Sequence, residues 1–219
     1  VTFDEYLNNI PTLHSFDGGK TWNNGGFEAM HLKAFYDLVA RAGGNRATIL
    51  ESGAGNSTLT FLQARPQKVI SIAPDRALFD RIKRFCSENG IPAGPLRARI
   101  DRSEWALPRL ARWGTTIDLA LIDGCHGWPT VFVDLCYIYT MLRKGGILII
   151  DDIQLHSVKE LARFLATDTA RFHIVHDLGK SLVFEKMKDE RFLTEWNDQP
   201  YIVTRTEAYA NPFALSLPY

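Results

Sequence analysis

Several things are scarce in this chain of 219 residues. Cysteine occurs only three times, at Cys86, Cys125 and Cys136, which gives neither a disulfide framework nor a paired zinc-ligand spacing. Charge of one sign is not in excess: Lys plus Arg and Asp plus Glu each count 25, for a formal net charge of zero. That balance argues against attachment driven mainly by nucleic-acid phosphates. No apolar run reaches the ~20 residues a membrane helix needs, and the opening VTFDEYLNN has no basic-then-apolar leader pattern. Internal repeats and low-complexity tracts are missing too. The expectation is a reduced, cytoplasmic protein with neither a membrane nor a nucleic-acid partner. With 46% apolar residues and 11% aromatics, the chain can bury a substantial core.

Along the chain, HSFDGGKTWNNGG (14–26) separates a short N-terminal accessory segment (1–26) from the rest. Residues 27–42 carry apolar positions at helical spacing and stop at Gly43-Gly44. An alternation follows. ATILES (47–52), KVISIA (68–73), LRARI (96–100), IDLALID (117–123) and ILIIDD (147–152) read as strands. Helices are expected from an Asn56-Ser57 cap to about Ala64, over 76–89, over about 129–142 and around 156–167. FHIVHDL (172–178) and SLVFEKM (181–187) face each other across Gly179-Lys180 as a hairpin. Strands alternating with helix-length segments imply an α/β, doubly wound, mostly parallel sheet with helices on both faces. The closing hairpin adds an antiparallel C-terminal strand. The division is therefore 1–26, a Rossmann-like domain over 27–187, and a tail over 188–219. The tail is rich in aromatics and proline and suits a lid, a dimer arm or plain packing.

In such a sheet, ligands sit beyond the carboxyl ends of the strands. Strand one ends in Glu51-Ser52-Gly53-Ala54-Gly55-Asn56-Ser57, where two glycines permit a tight turn into a helix start. A dinucleotide fingerprint would need a third glycine at Thr58. Strand four ends in Asp123-Gly124-Cys125-His126 and strand five in Asp151-Asp152. Neighbouring strands lie about 4.8 Å apart, so three carboxylates would crowd one rim and raise one another's pKa. A divalent cation such as Mg²⁺ held by Asp123, Asp151 and Asp152 would relieve this. A shared proton, or Asp152 serving as a helix N-cap, would do so too. His126 on its glycine-flanked turn is a candidate general base.

These residues resemble class I S-adenosylmethionine-dependent methyltransferases over about 27–187. ILESGAGNST is similar to their first motif, and DLALIDGCHGW with LRKGGILIIDDI to their fourth- and fifth-strand region. The LIDGxH form is similar to a small-molecule O-methyltransferase branch. The resemblance implies a seven-stranded sheet with its last strand antiparallel, and S-adenosylmethionine as cofactor. Gly53 and Gly55 would approach the methionine part, with Ser57 beside them and Glu51 near the amino group. Asp123 would lie between cofactor and metal, and Asp101 and Ser103 would lie where the family often contacts adenine. The family's ribose-gripping acid at the end of strand two is replaced here by Ala73, with Asp75 the nearest acid. The implied activity is methyl transfer to a hydroxyl of a small molecule, with catalysis by His126 and Asp123, Mg²⁺ as an optional aid and assembly into a homo-oligomer left open. Ala73 motivates a rival, a non-catalytic binding protein of the same fold. A nicotinamide-dependent oxidoreductase is a third reading, and Thr58 speaks against it.

Overall fold

The computed structural model describes residues 1–206. The tail residues Tyr209, Pro212 and Phe213 lie outside that range. Seven strands form one sheet: β1 (Thr48–Ser52), β2 (Lys68–Ile72), β3 (Leu96–Arg99), β4 (Ile117–Ile122), β5 (Leu142–Ile150), β6 (Phe172–Asp177) and β7 (Leu182–Lys186). Their order is β3-β2-β1-β4-β5-β7-β6. The first five are parallel, and β7 runs antiparallel between β5 and β6. This is the Rossmann-like methyltransferase fold.

Two hydrophobic layers explain why the strands read as apolar runs. On one face, Ile49, Val69, Leu119, Leu121 and Ile149 pack under α1 (Phe3–Asn8), α2 (Ala29–Ala42), α3 (Asn56–Gln63) and α4 (Arg76–Asn89). On the other, Leu50, Ile70, Ala120, Ile122, Leu148 and Ile150 pack under α5 (Ser103–Arg112), α6 (Thr130–Met141) and α7 (His156–Thr167). Adjacent strand residues thus serve opposite faces, and both faces are covered. Among the described residues, no helix is long and apolar enough to cross a membrane.

Three elements differ from the sequence expectation. The short α1 opens with a capping box, the Thr2 hydroxyl accepting from the Glu5 amide and the Glu5 carboxylate from the Thr2 amide. Helix α5 carries Pro108 in its middle, a residue that costs a hydrogen bond and ordinarily argues against a helix. Buried Ala106, Leu107, Leu110 and Ala111 hold it against the sheet nonetheless. The start of α3 is capped at Gly55 rather than at Asn56-Ser57. In the tail, α8 (Pro200–Val203) packs on α7 through Tyr201 against Phe164.

Candidate active site

The β1–α3 loop is built around a buried acid. Glu51 is wholly buried, and its carboxylate accepts hydrogen bonds from Ser57 (2.6 Å), Thr58 (2.5 Å) and Ser71 (2.6 Å). Burial pushes its pKa up to about 7, against the pull of those three hydroxyls. The Thr58 hydroxyl also accepts the Gly55 amide at 3.0 Å. Thr58, the residue that spoils the dinucleotide pattern, is therefore the latch between the glycine loop and Glu51. Gly53 has φ +107, and a Cβ there would stand 2.5 Å from the carbonyl oxygen of Asp123. At Gly55, with φ +157, a Cβ would stand 2.5 Å from Nε2 of His14. Gly53 is demanded by close approach of the Asp123 backbone, and Gly55 by its positive φ.

Above this loop lies a cleft of about 630 Å³, within the range of small-molecule and cofactor sites. The ends of β1, β2 and β4 and the start of α5 form its floor and walls. His14, Ser15, Phe16 and Asn24 of the N-terminal segment form another wall. That segment is pinned by Asn56, whose amide donates to the Pro11 and Asn24 carbonyls at 3.0 and 2.7 Å. The Tyr6 hydroxyl donates to the Asn56 side chain at 2.9 Å, and Arg81 donates to the Leu13 carbonyl. Sequence reading had this stretch as a loop but had no signal for where it would lie. Burial, then the nearby Arg81, lowers the pKa of His14.

Of the residues singled out from sequence, Gly53, Gly55, Ser57, Asp75, Ser103, Asp123, His126 and Asp152 line the cleft. Glu51, Asp101 and Asp151 do not. Asp75 stands at the α4 N-cap position with its carboxylate 3.1 Å from Arg81. Asp101 points elsewhere, bonding Arg109 and the Arg102 amide.

The acidic rim forms because β4 and β5 are neighbours, with Ile122 opposite Ile150. The imidazole of His126 lies between two carboxylates, Nε2 3.6 Å from Asp123 and Nδ1 3.7 Å from Asp152. The Asp123 contact is the main cause of a raised His126 pKa. Burial, partly offset by His126, pushes Asp123 up to about 7. The Ser157 hydroxyl donates to the His126 carbonyl and fixes the turn to α7. Asp152 adopts φ +59, a left-handed conformation that Asp tolerates better than most residues. It does not cap α7, whose N-cap is Leu155.

Asp151 is buried beneath the rim, accepting from the Ser181 hydroxyl and, at 3.1 Å, from the Lys180 ammonium. The same ammonium lies 3.6 Å from Asp152 and 4.6 Å from the centre of the Phe27 ring. Lys180, which the sequence presents as a hairpin-turn residue, is thus part of the site.

The expected Mg²⁺ set of three carboxylates is not assembled. Among the described residues, the group with metal-ligating geometry is Asp123, His126 and Asp152, with donor atoms within 4.8 Å of one another. Magnesium takes oxygen ligands, whereas imidazole suits transition metals. Both oxygens of Asp151 are engaged, and those of Asp152 face Lys180 and His126. The residues present do not fit Mg²⁺.

Fold and cleft together define a Rossmann-like protein with a glycine-loop pocket at the carboxyl ends of its strands. Residues 50–153, from β1 to just past β5, match the family described as Methyltransferase domain. No curated protein matches the chain. Solved structures of similar fold include the O-methyltransferase TomG from Streptomyces achromogenes in complex with SAM. It is 18% identical with a TM-score of 0.61, over 74% of this chain and 82% of that one. Cofactor-bound Rv0187 from MTB is 14% identical with a TM-score of 0.60, over 74% and 82%. An rRNA methylase from Streptococcus thermophilus is 18% identical with a TM-score of 0.56, over 73% and 96%. The family match and the fold support S-adenosylmethionine-dependent methyl transfer.

Proposed function

We propose that this protein transfers a methyl group from S-adenosylmethionine to a hydroxyl of a small molecule. The observation that carries the reading is one continuous cleft lined both by the Gly53–Ser57 loop and by Asp123, His126 and Asp152. The chain's residues fit the cofactor. The loop amides and the start of α3 suit the polar methionine end. Asp75, at the α4 N-cap position just past β2, lines the cleft and would accept from ribose hydroxyls in place of Ala73. Ser103 lines the cleft and would meet the adenine edge. When bound, the cofactor supplies a methyl group already activated on a sulfonium.

The protein's task is then to position an oxygen nucleophile in line and remove its proton. His126 is the group for that proton. The flanking carboxylates, 3.6 and 3.7 Å from its ring nitrogens, stabilise the imidazolium that forms. Phe16 and the His14 ring offer an apolar wall from the N-terminal side. The TomG likeness favours an oxygen acceptor.

The test is methyl transfer from labelled S-adenosylmethionine to a panel of hydroxylated small molecules. His126→Ala should lower kcat at least a hundredfold while leaving S-adenosylhomocysteine affinity unchanged. A His126→Ala enzyme as fast as the wild type would refute the assignment. Saturable cofactor binding with no transfer to any acceptor would favour the rival, a binding protein of methyltransferase fold.

A further inference from the structure

Two carboxylates, Asp123 and Asp152, line the rim, and a third, Asp151, is buried beneath it. The hairpin turn delivers a cation. The Leu178 amide donates to the Ser181 carbonyl, Gly179 turns at φ +80, and the Ile153 amide donates to the Lys180 carbonyl at 3.0 Å. The turn is thus bonded to the backbone directly after Asp152. The Leu178 carbonyl lies 3.0 Å from His31 Nε2, which fastens it to α2 as well. The Lys180 side chain is therefore directed inward, about one quarter exposed, with Phe27 beneath its ammonium. Its Nζ bonds one oxygen of Asp151, whose other oxygen takes the Ser181 hydroxyl, and faces one oxygen of Asp152, whose other oxygen faces His126.

We propose that Lys180 is the fixed cation of this rim, occupying the electrostatic place a divalent metal would otherwise take and so making the site independent of metal. The proposal deepens the methyltransferase reading and rests on it for the meaning of the rim. Two features carry it. Both oxygens of Asp151 and one oxygen of Asp152 already accept hydrogen bonds, the last from Gln154 at 2.8 Å, and the other Asp152 oxygen faces His126 Nδ1 at 3.7 Å, so a cation using Asp151 would have to displace a donor. An ammonium anchored within 4 Å of both acids also repels a second cation at that spot. Lys180 acts here as a positioning residue, holding Asp152 toward His126 rather than touching the reacting atoms.

The test needs neither cofactor nor acceptor, so its failure is separable from failure of the methyl-transfer reading. The chelator-treated full chain is titrated with Mn²⁺ and bound ion is read by electron paramagnetic resonance. The wild type should show no saturable micromolar binding. Lys180→Met should bind at least tenfold more tightly, through the acids it frees, and Lys180→Arg should behave as the wild type does. Micromolar binding by the wild type, or identical titrations for wild type and Lys180→Met, overturns the proposal. If Lys180→Met does not fold, Lys180→Gln replaces it. If no neutral variant folds, the wild-type titration decides alone: micromolar binding overturns the proposal and its absence upholds it.

Discussion

Asp151 and Asp152 are neighbours in sequence with opposite fates. Both lie just past β5, and the left-handed turn at Asp152 (φ +59) sends its side chain into the cleft while Asp151 stays beneath the rim with Ser181 and Lys180. The sequence shows the pair but not which member faces the ligand. Asp123 and His126 were legible because a strand-ending acid and a glycine-flanked histidine leave little else for such a turn to do. Lys180 was not, because it lies 29 residues from Asp151 and only the hairpin brings them together. Gly53 offers a direct check at this scale. Gly53→Ala places a Cβ against the Asp123 carbonyl at a φ that alanine resists, so urea unfolding should show a loss of about 2–3 kcal/mol. An unchanged midpoint would mean the loop relaxes freely. Glu51 offers a second. Its folded pKa, about 7, lies above its ordinary value of 4.5, so the folded state binds this proton more tightly. Its contribution to stability is full below the ordinary value and is lost as pH rises through about 7. Glu51→Gln should flatten the stability–pH curve across that window, and an unaltered slope would count against the buried latch.

At the scale of elements, the five parallel strands and most helices were readable because burial on both faces leaves apolar runs bounded by glycine and charge. Helix α5 was not, since Pro108 obscures it and only tertiary packing restores it. The N-terminal segment was legible as a loop and invisible as a cleft wall, because its attachments run through single side chains. Asn56→Ala removes the bonds to Pro11 and Asn24 and leaves the Tyr6 hydroxyl without its side-chain acceptor. Hydrogen exchange at the Leu13, His14 and Asn23 amides should then quicken while the β1 and β4 amides stay protected. Equal protection in both proteins would show that Asn56 is not the pin. The C-terminal side has a comparable fastening. The Lys186 ammonium, buried, donates to the Tyr139 and Leu142 carbonyls at the end of α6 and to the Glu190 carbonyl. Burial lowers its pKa to about 8. Lys186→Met should destabilise the fold by about 2–4 kcal/mol by orphaning those carbonyls, measured by thermal or urea unfolding. A neutral result would show that solvent can replace them.

For the molecule as a whole, the order of strands places the loops that follow β1, β2, β3, β4 and β5 around one opening, with a further wall from the N-terminal segment. Fold class and the side of the sheet that binds follow from strand–helix alternation. The acceptor does not, since its recognition lies in loops and side chains whose positions depend on packing. Net charge carries less weight on this point than sequence reading gave it, because zero overall charge does not exclude a local basic surface and one protein of similar fold is described as an rRNA methylase. The central claim is that the cleft seats S-adenosylmethionine, and titration of the purified chain with S-adenosylhomocysteine by calorimetry tests it most directly. The expected result is saturable binding in the micromolar range, weakened about tenfold or more by Asp75→Ala, the cleft-lining acid at the start of α4. No heat of binding to the folded wild type would contradict it.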